Sequence, residues 1–123
     1  MKKPEEEINN YLISMKNILT DEKGKINVKN DREKNFVFSY LYNINEKFIR
    51  DVLLELKSDD FRKVLLSTNE FHTNEILYQW KKELELTDMS GKKDIRDVYI
   101  KTFLDEYNKV VVVISFHKDK DFS

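Results

Sequence analysis

Polar side chains suited to phosphate chemistry occupy alternate positions in two strand-like segments late in the chain. The first segment carries Tyr99 and Lys101, and the second, a valine-rich run, closes on Ser115, Phe116 and His117. Side chains of a strand point alternately to opposite faces of a sheet, so the tyrosine, lysine and histidine can meet on one face of an antiparallel pair. A lysine can bind a phosphate, and a histidine, whose ordinary pKa lies near neutrality, can transfer a proton. The pattern favours a phosphate-handling site.

Apolar residues at the intervening positions predict which face of these strands is buried. Val98 and Ile100 share one face in the first segment, and Val112 and Ile114 share one face in the second. We expect all of them to lie under helices, opposite the polar face. A one-residue shift in register would carry the polar residues into the core and remove the site.

Length and composition predict one folded domain over the whole chain. The 123 residues suffice for a single two-layer core, and hydrophobic residues at 40% with aromatic residues at 12% argue against disorder. A net charge of −1 excludes a broadly basic nucleic-acid binder but leaves room for a local basic patch. No apolar segment is long enough for a signal peptide or membrane span, so we expect a cytoplasmic protein with no membrane partner.

Helical spacing dominates the first half of the chain. Apolar residues between 8 and 19 predict an amphipathic helix that begins near Pro4. Residues 36–42 fit either a helix or a strand, and a short helix ended by Asn43 is favoured. Asn45 is expected to cap a helix that reaches Lys57. Residues 58–60 resemble another cap, which predicts a further helical turn or two over residues 61–67.

The second half changes to strand-like alternation. We expect strands at residues 76–86, 96–105 and 109–118, with a hairpin loop around residues 89–91 and a tight turn near residues 106–108. A possible short strand precedes them at residues 26–28. Helices first and strands second predict an α+β fold, with N-terminal helices packed on one face of a C-terminal antiparallel sheet.

Metal and cofactor sites are disfavoured by the residue types present. His72 and His117 are the only histidines, cysteine is absent, and no cluster of His, Asp and Glu has the spacing of metal ligands. Gly24 and Gly91 stand alone, so a glycine-rich phosphate loop is absent. We therefore expect neither a metal nor a cofactor.

The order of several short motifs resembles that of the MqsR-family toxins. The motifs are Asp-Asp-Phe-x-Lys ending at Lys63, a Tyr-Gln pair ending at Gln79, Val-Tyr-Ile-Lys ending at Lys101, and the valine run that closes on His117. The resemblance covers about residues 8–118. It implies a RelE-like fold and a ribosome-independent mRNA endoribonuclease that a cognate antitoxin protein holds inactive. It also implies that Lys63, Gln79 and Tyr99 belong to the active site, with His117 at a position where family members have Lys or His.

The chemistry implied is metal-independent cleavage of single-stranded RNA by its own 2′-hydroxyl group. His117 is the natural acid or base, and Lys63 and Lys101 can stabilise the developing phosphoryl charge. Tyr99 can donate a proton or stack on a base, and Gln79 can orient the phosphate or a base edge. Two further cations, Lys81 and Arg96, are expected to assist substrate binding.

Polar residues on a sheet face commonly do no more than contact water, so these residues need not form a site. If they do form a site, two functional classes other than a nuclease remain open. The same face and its aromatic residues would also suit a non-catalytic inhibitor or adaptor that binds a protein partner. An RNA-binding module without cleavage is the third possibility.

Overall fold

The computed structural model describes residues 4–66 and 76–118 of the chain. Its helices and strands follow the predicted order of helices first and antiparallel strands second, so the α+β class is confirmed. The elements are α1 (Glu5–Thr20), β1 (Lys25–Val28), α2 (Glu33–Leu41), α3 (Glu46–Leu54), a 3₁₀ turn (Ser58–Asp60), β2 (Phe61–Leu66), β3 (Ile76–Thr87), β4 (Lys93–Asp105) and β5 (Val110–Lys118). None of the helices in the described ranges combines the length and the apolar character needed to cross a bilayer.

The sheet contains five strands in the order β1-β5-β4-β3-β2 within the described ranges. Strands β2 to β5 pair antiparallel in sequence order, which confirms the predicted pairing of the last three strands. Strand β1 pairs parallel to β5, from Lys25 opposite Val110 to Val28 opposite Val113. The sheet is therefore mixed, and the expectation of a wholly antiparallel sheet is wrong.

Helices α1 and α3 bury the apolar positions predicted from their periodicity, whereas α2 leaves Phe36, Val37, Tyr40 and Leu41 exposed. Helix α1 buries one apolar stripe, and α2 ends where Asn43 adopts a left-handed φ of 51°. The side chain of Asn45 accepts a hydrogen bond from the Phe48 backbone N–H at 2.8 Å, which begins α3. Helix α3 ends at Leu54 rather than at Lys57. The strand expected at residues 26–28 is present as β1.

Residues 61–66 form strand β2, so the helical turn predicted there is wrong. The cap-like residues 58–60 instead close a 3₁₀ turn, in which the Asp60 carboxylate accepts from the Lys57 backbone N–H at 3.0 Å. Phe61 leaves the turn with extended geometry, and its ring packs edge-on against Trp80 with centroids 5.6 Å apart. Pairing with β3 outweighs the local helix signal, as tertiary context often does. Residue 67 lies outside the described residues.

The main core lies between the helices and one face of the sheet. The side chains of Met15, Leu53, Trp80 and Phe116 are completely buried there. Thr102 is also buried in this layer, where its hydroxyl accepts from Trp80 Nε1 at 3.1 Å and bonds the Tyr11 hydroxyl at 2.8 Å. The sheet face opposite this core is called the open face below.

A bulge in β5 changes which valines face the helices. The β4–β5 register shifts between Lys101, opposite Ser115, and Thr102, opposite Val113, and this leaves Ile114 as the extra residue. Val112 therefore packs with Leu77 and Phe103 in a second apolar cluster on the open face, and Ile114 packs against that cluster. The expected burial of Val98 and Ile100 in the main core is confirmed. The expectation that Val112 and Ile114 lie under the helices is wrong.

Asn35 joins α2 to the edge of β5 beyond the end of β1. Its buried side-chain amide donates to the carbonyl oxygens of Ile114 at 2.9 Å and Lys29 at 3.0 Å, and accepts from the Phe116 N–H at 3.0 Å. These bonds occupy backbone groups that a longer β1 would otherwise pair. One side chain thus continues the ladder and fixes the position of α2.

Replacing Asn35 with alanine should lower the free energy of unfolding by about 2–4 kcal/mol, because buried backbone groups of β5 lose their partners. Urea unfolding followed by circular dichroism measures this change. Asn17→Ala, at an exposed position of α1, is the matched control and should change stability by less than about 0.5 kcal/mol. Equal stability of the two variants would contradict the bridging role of Asn35.

Tyr11 predicts an alkaline loss of stability. Burial of its hydroxyl raises its pKa well above the ordinary value, and the hydrogen bond with Thr102 opposes this effect only in part. The unfolded chain therefore loses the tyrosine proton above about pH 10 while the folded chain keeps it, and stability falls by up to about 1.4 kcal/mol per pH unit. Tyr11→Phe should remove this slope in denaturant titrations at several pH values. Tyr107→Phe, which alters an almost fully exposed ring, should retain it.

Candidate active site on the open face

Two neighbouring rows of polar residues cross the open face. Cα pairing aligns the first row across four strands, Lys63 with Gln79, Gln79 with Lys101, and Lys101 with Ser115. Lys101 alternates with Ile100 of the main core, so its side chain lies on the opposite face. The structure thus brings Lys63, Gln79 and Lys101 together, and the strand that carries Lys63 is the one predicted as a helix.

The second row places Tyr99 between Lys81 and His117. Tyr99 is the Cα partner of both residues, and the rings of Tyr99 and His117 are 5.3 Å apart between centroids. The Lys101 ammonium lies 5.7 Å from the centre of the Tyr99 ring, which connects the two rows. Val111 and Val113 face the main core, so unbroken alternation would also turn His117 toward the core. The bulge in β5 shifts the alternation by one residue and keeps His117 on the open face.

Lys101 lies at the centre of a cluster of positive charges. Its side chain is half-buried, and burial lowers its pKa, with further lowering by the like charges of Arg32 and Lys63. An anion placed among these cations would stabilise the charged form of Lys101 and offset the repulsion. The cluster of Arg32, Lys63 and Lys101 therefore has the electrostatics of an anion site, although the whole chain is close to neutral.

Arg32 is a member of the site that sequence reasoning missed. It precedes α2, and its guanidinium Nη1 donates to the Ile114 carbonyl oxygen at 3.4 Å. The Asn35 bridge brings this end of α2 to β5. No pattern in the sequence around Arg32 indicates this neighbour, because the contact spans more than eighty positions.

His117 is mostly buried, with 8% of its surface exposed. Its Nδ1 lies 3.0 Å from the Lys118 carbonyl oxygen. A carbonyl oxygen only accepts, so Nδ1 carries the hydrogen of this bond and Nε2 holds the lone pair in the neutral ring. This tautomer equips Nε2 to accept a proton.

The two additional cations named from the sequence occupy different places. Lys81 lies on the open face, where its ammonium is 3.9 Å from the Asp97 carboxylate, so part of its charge is compensated. Arg96 alternates with Asp97 and projects toward the helix side, 3.6 Å from Asp94 and 3.4 Å from the Tyr42 hydroxyl. The structure brings Lys81 beside the site but does not bring Arg96 into either row.

Acidic residues do not form a metal centre in the described part of the chain. No group of three or more His, Cys, Asp or Glu side chains there has a geometry that could hold an ion. His72 lies outside the described residues.

Comparison of the chain with protein-family models, with curated proteins and with solved structures yields no match. The geometry of the open face carries the functional interpretation.

Proposed function

We propose that the protein is a toxin-type endoribonuclease that cleaves single-stranded RNA without a metal ion. The observation that carries the proposal is the position of Lys101, half-buried in the row that also holds Lys63, one row from Tyr99 and His117, and subject to the like charges of Arg32 and Lys63. Like charges repel, so such a cluster is stabilised by a bound anion. A phosphodiester supplies that anion, and the adjacent histidine and tyrosine supply groups for proton transfer.

In the proposed reaction the 2′-oxygen of the RNA attacks the adjacent phosphorus atom and the bond to the 5′-oxygen breaks. Nε2 of His117 accepts the proton of the 2′-hydroxyl. Arg32 and Lys63 stabilise the negative charge that develops on the phosphoryl oxygens. Either Lys101 or Tyr99 donates a proton to the leaving 5′-oxygen. The products are a 2′,3′-cyclic phosphate and a 5′-hydroxyl end.

Lys101 is suited to proton donation by its surroundings. Burial and the neighbouring cations lower its pKa, and an ammonium of lower pKa is the stronger acid. Tyr99 lies within one row of the same position and contacts both His117 and Lys101. The two candidate acids are separable by mutation, since a phenylalanine removes the tyrosine hydroxyl and keeps its ring.

The MqsR-family resemblance supports this proposal and extends it. We propose that the five-stranded sheet with its N-terminal helices is a RelE-like fold and that the protein acts in the cytoplasm. The resemblance also implies a cognate antitoxin that holds the enzyme inactive. An inhibitor of this kind would act by covering the open face or by displacing α2, which positions Arg32.

A protein-binding role is the second candidate function, and the surface of α2 favours it. Phe36, Val37, Tyr40 and Leu41 lie on this helix with 44–63% of their surface exposed. Adjacent exposed aromatic and aliphatic residues are typical of protein interfaces. This surface differs from the open face, so protein binding and RNA cleavage are compatible. Folded protein that lacks all RNA binding would leave protein binding as the better-supported function.

The charge cluster predicts that the pKa of Lys101 rises when either neighbour loses its charge. Arg32→Gln and Lys63→Gln should each raise it, because each removes a repelling cation. Saturating cytidine 3′-monophosphate should also raise the pKa of Lys101 in the wild type, because it places an anion among the cations. A pH titration of the lysine side-chain NMR signals measures these changes.

Lys93→Gln is the control for this titration, because Lys93 is an exposed residue of β4 that pairs with Glu85. It should leave the pKa of Lys101 unchanged. A Lys101 pKa that is insensitive to Arg32, Lys63 and the nucleotide would contradict the anion site.

The reaction predicts cleavage of unstructured RNA in the presence of EDTA, with 2′,3′-cyclic phosphate ends. DNA and RNA methylated at the scissile 2′-oxygen should resist. His117→Ala should lower kcat by a factor on the order of 10²–10⁴, the usual contribution of a general acid or base. Tyr99→Phe should lower it similarly if the hydroxyl is the acid, and change it little if Lys101 is the acid. End-labelled RNA and mass spectrometry of the products measure both effects.

Tyr40→Phe is the matched control for Tyr99→Phe, because Tyr40 is an exposed tyrosine on α2. It should cleave as fast as the wild type. Unimpaired cleavage by both the His117 and the Tyr99 variants would exclude this site. No cleavage by folded wild type would refute the nuclease proposal.

A further inference from the structure

A groove of about 740 Å³ lies on the open face beside the charge cluster. One wall of the groove is strand β1 together with Lys29, the residue that follows it. The side chains of Lys25, Asn27 and Lys29 line the groove, and those of Ile26 and Val28 pack into the main core. The hairpin turn between β4 and β5 forms the other end. None of the candidate site residues named from the sequence lines the groove.

The floor of the groove is apolar and lies next to the cations. Phe103 and Val112 are Cα partners, and Asn27 pairs with Val112 in the next strand. Phe103 follows Lys101 by two positions, which separates them by about 7 Å along the strand. The reaction site and the groove thus form one continuous path across the open face.

The hairpin turn places an aromatic ring at the rim of the groove. Tyr107 is 95% exposed. The Asp105 carboxylate accepts from the Asn108 backbone N–H at 3.1 Å and from its side-chain amide at 2.8 Å, which stabilises the turn that carries this ring. An exposed aromatic ring beside an apolar floor is the arrangement on which proteins stack single-stranded bases.

We propose that this groove binds the nucleotide next to the scissile phosphate. Its base stacks against the exposed ring of Tyr107 and meets the floor only at its surface, because Phe103 and Val112 have 5% and 6% of their surface exposed. Lys29 contacts the phosphate nearer the reaction site, and Lys25, about 13 Å further along β1, contacts a phosphate beyond the next one. The inference deepens the proposed function, because it rests on RNA as the substrate and assigns the path of the strand.

The polar rim of the groove predicts which bases it accepts. Asp105 and Glu106 offer carboxylate oxygens, which only accept hydrogen bonds, and Asn27 can both donate and accept. A base edge with an exocyclic amino group suits carboxylate acceptors, as in the contacts that Asp and Glu make with cytosine. Uracil presents carbonyl oxygens in place of such a group. The groove should therefore favour adenine, cytosine or guanine over uracil.

Binding of a 2′-O-methylated RNA hexamer tests the groove separately from catalysis, because this ligand cannot be cleaved. In fluorescence anisotropy measurements, Tyr107→Ala should raise the Kd by about 5- to 100-fold, because base stacking is lost. Lys25→Ala should reduce the slope of log Kd against log salt concentration by about one unit. An all-uracil hexamer should bind more weakly than cytosine or adenine hexamers.

Tyr40→Ala and Lys93→Ala are the matched controls and should leave binding unchanged. If the wild type binds the hexamer through Tyr107 and Lys25 but cleaves nothing, the nuclease proposal fails and the groove stands. If the wild type cleaves RNA but neither Tyr107→Ala nor Lys25→Ala changes hexamer binding, the groove proposal is overturned and the nuclease proposal stands.

Discussion

The bridge from Asn35 to β5 is the interaction on which the arrangement of the open face depends. One buried amide satisfies backbone groups of Ile114, Phe116 and Lys29, where β1 has ended and β5 would otherwise present an unpaired edge. The same contact fixes the start of α2, from which Arg32 reaches the β5 backbone. A structural requirement, the pairing of buried polar groups, thereby brings a cation into the cluster around Lys101.

A regular strand could not place both Val113 and Phe116 in the core, because three positions separate them. The bulge at Ile114 makes this possible. Val111 and Val113 fill the helix-covered core, while Val112 and Ile114 build the apolar cluster on the open face. The extra residue then restores the alternation, so that Phe116 returns to the core and His117 remains beside Tyr99. Bulges often change the direction of side chains next to functional sites in this manner.

The sequence predicted the elements better than it predicted their neighbours. Period-two alternation located β3, β4 and β5 and placed Tyr99, Lys101 and His117 on one face, because those signals are local. The strand nature of β2 and the parallel pairing of β1 depend on contacts with residues far along the chain, which periodicity does not encode. Arg32 and the groove beside β1 were missed for the same reason, although residues 26–28 were predicted as a possible strand.

The parallel pairing of β1 with β5 has a consequence for the order in which the candidate site is assembled. It joins residues 25–28 to residues 110–113, so the contact forms only after most of the chain is available. Contacts between distant segments slow folding because the intervening loop must first be closed. A nascent chain that still lacks β5 has neither the β5 partners of Asn35, nor the backbone contact of Arg32, nor His117. The candidate site is therefore assembled only after β5 has been synthesised.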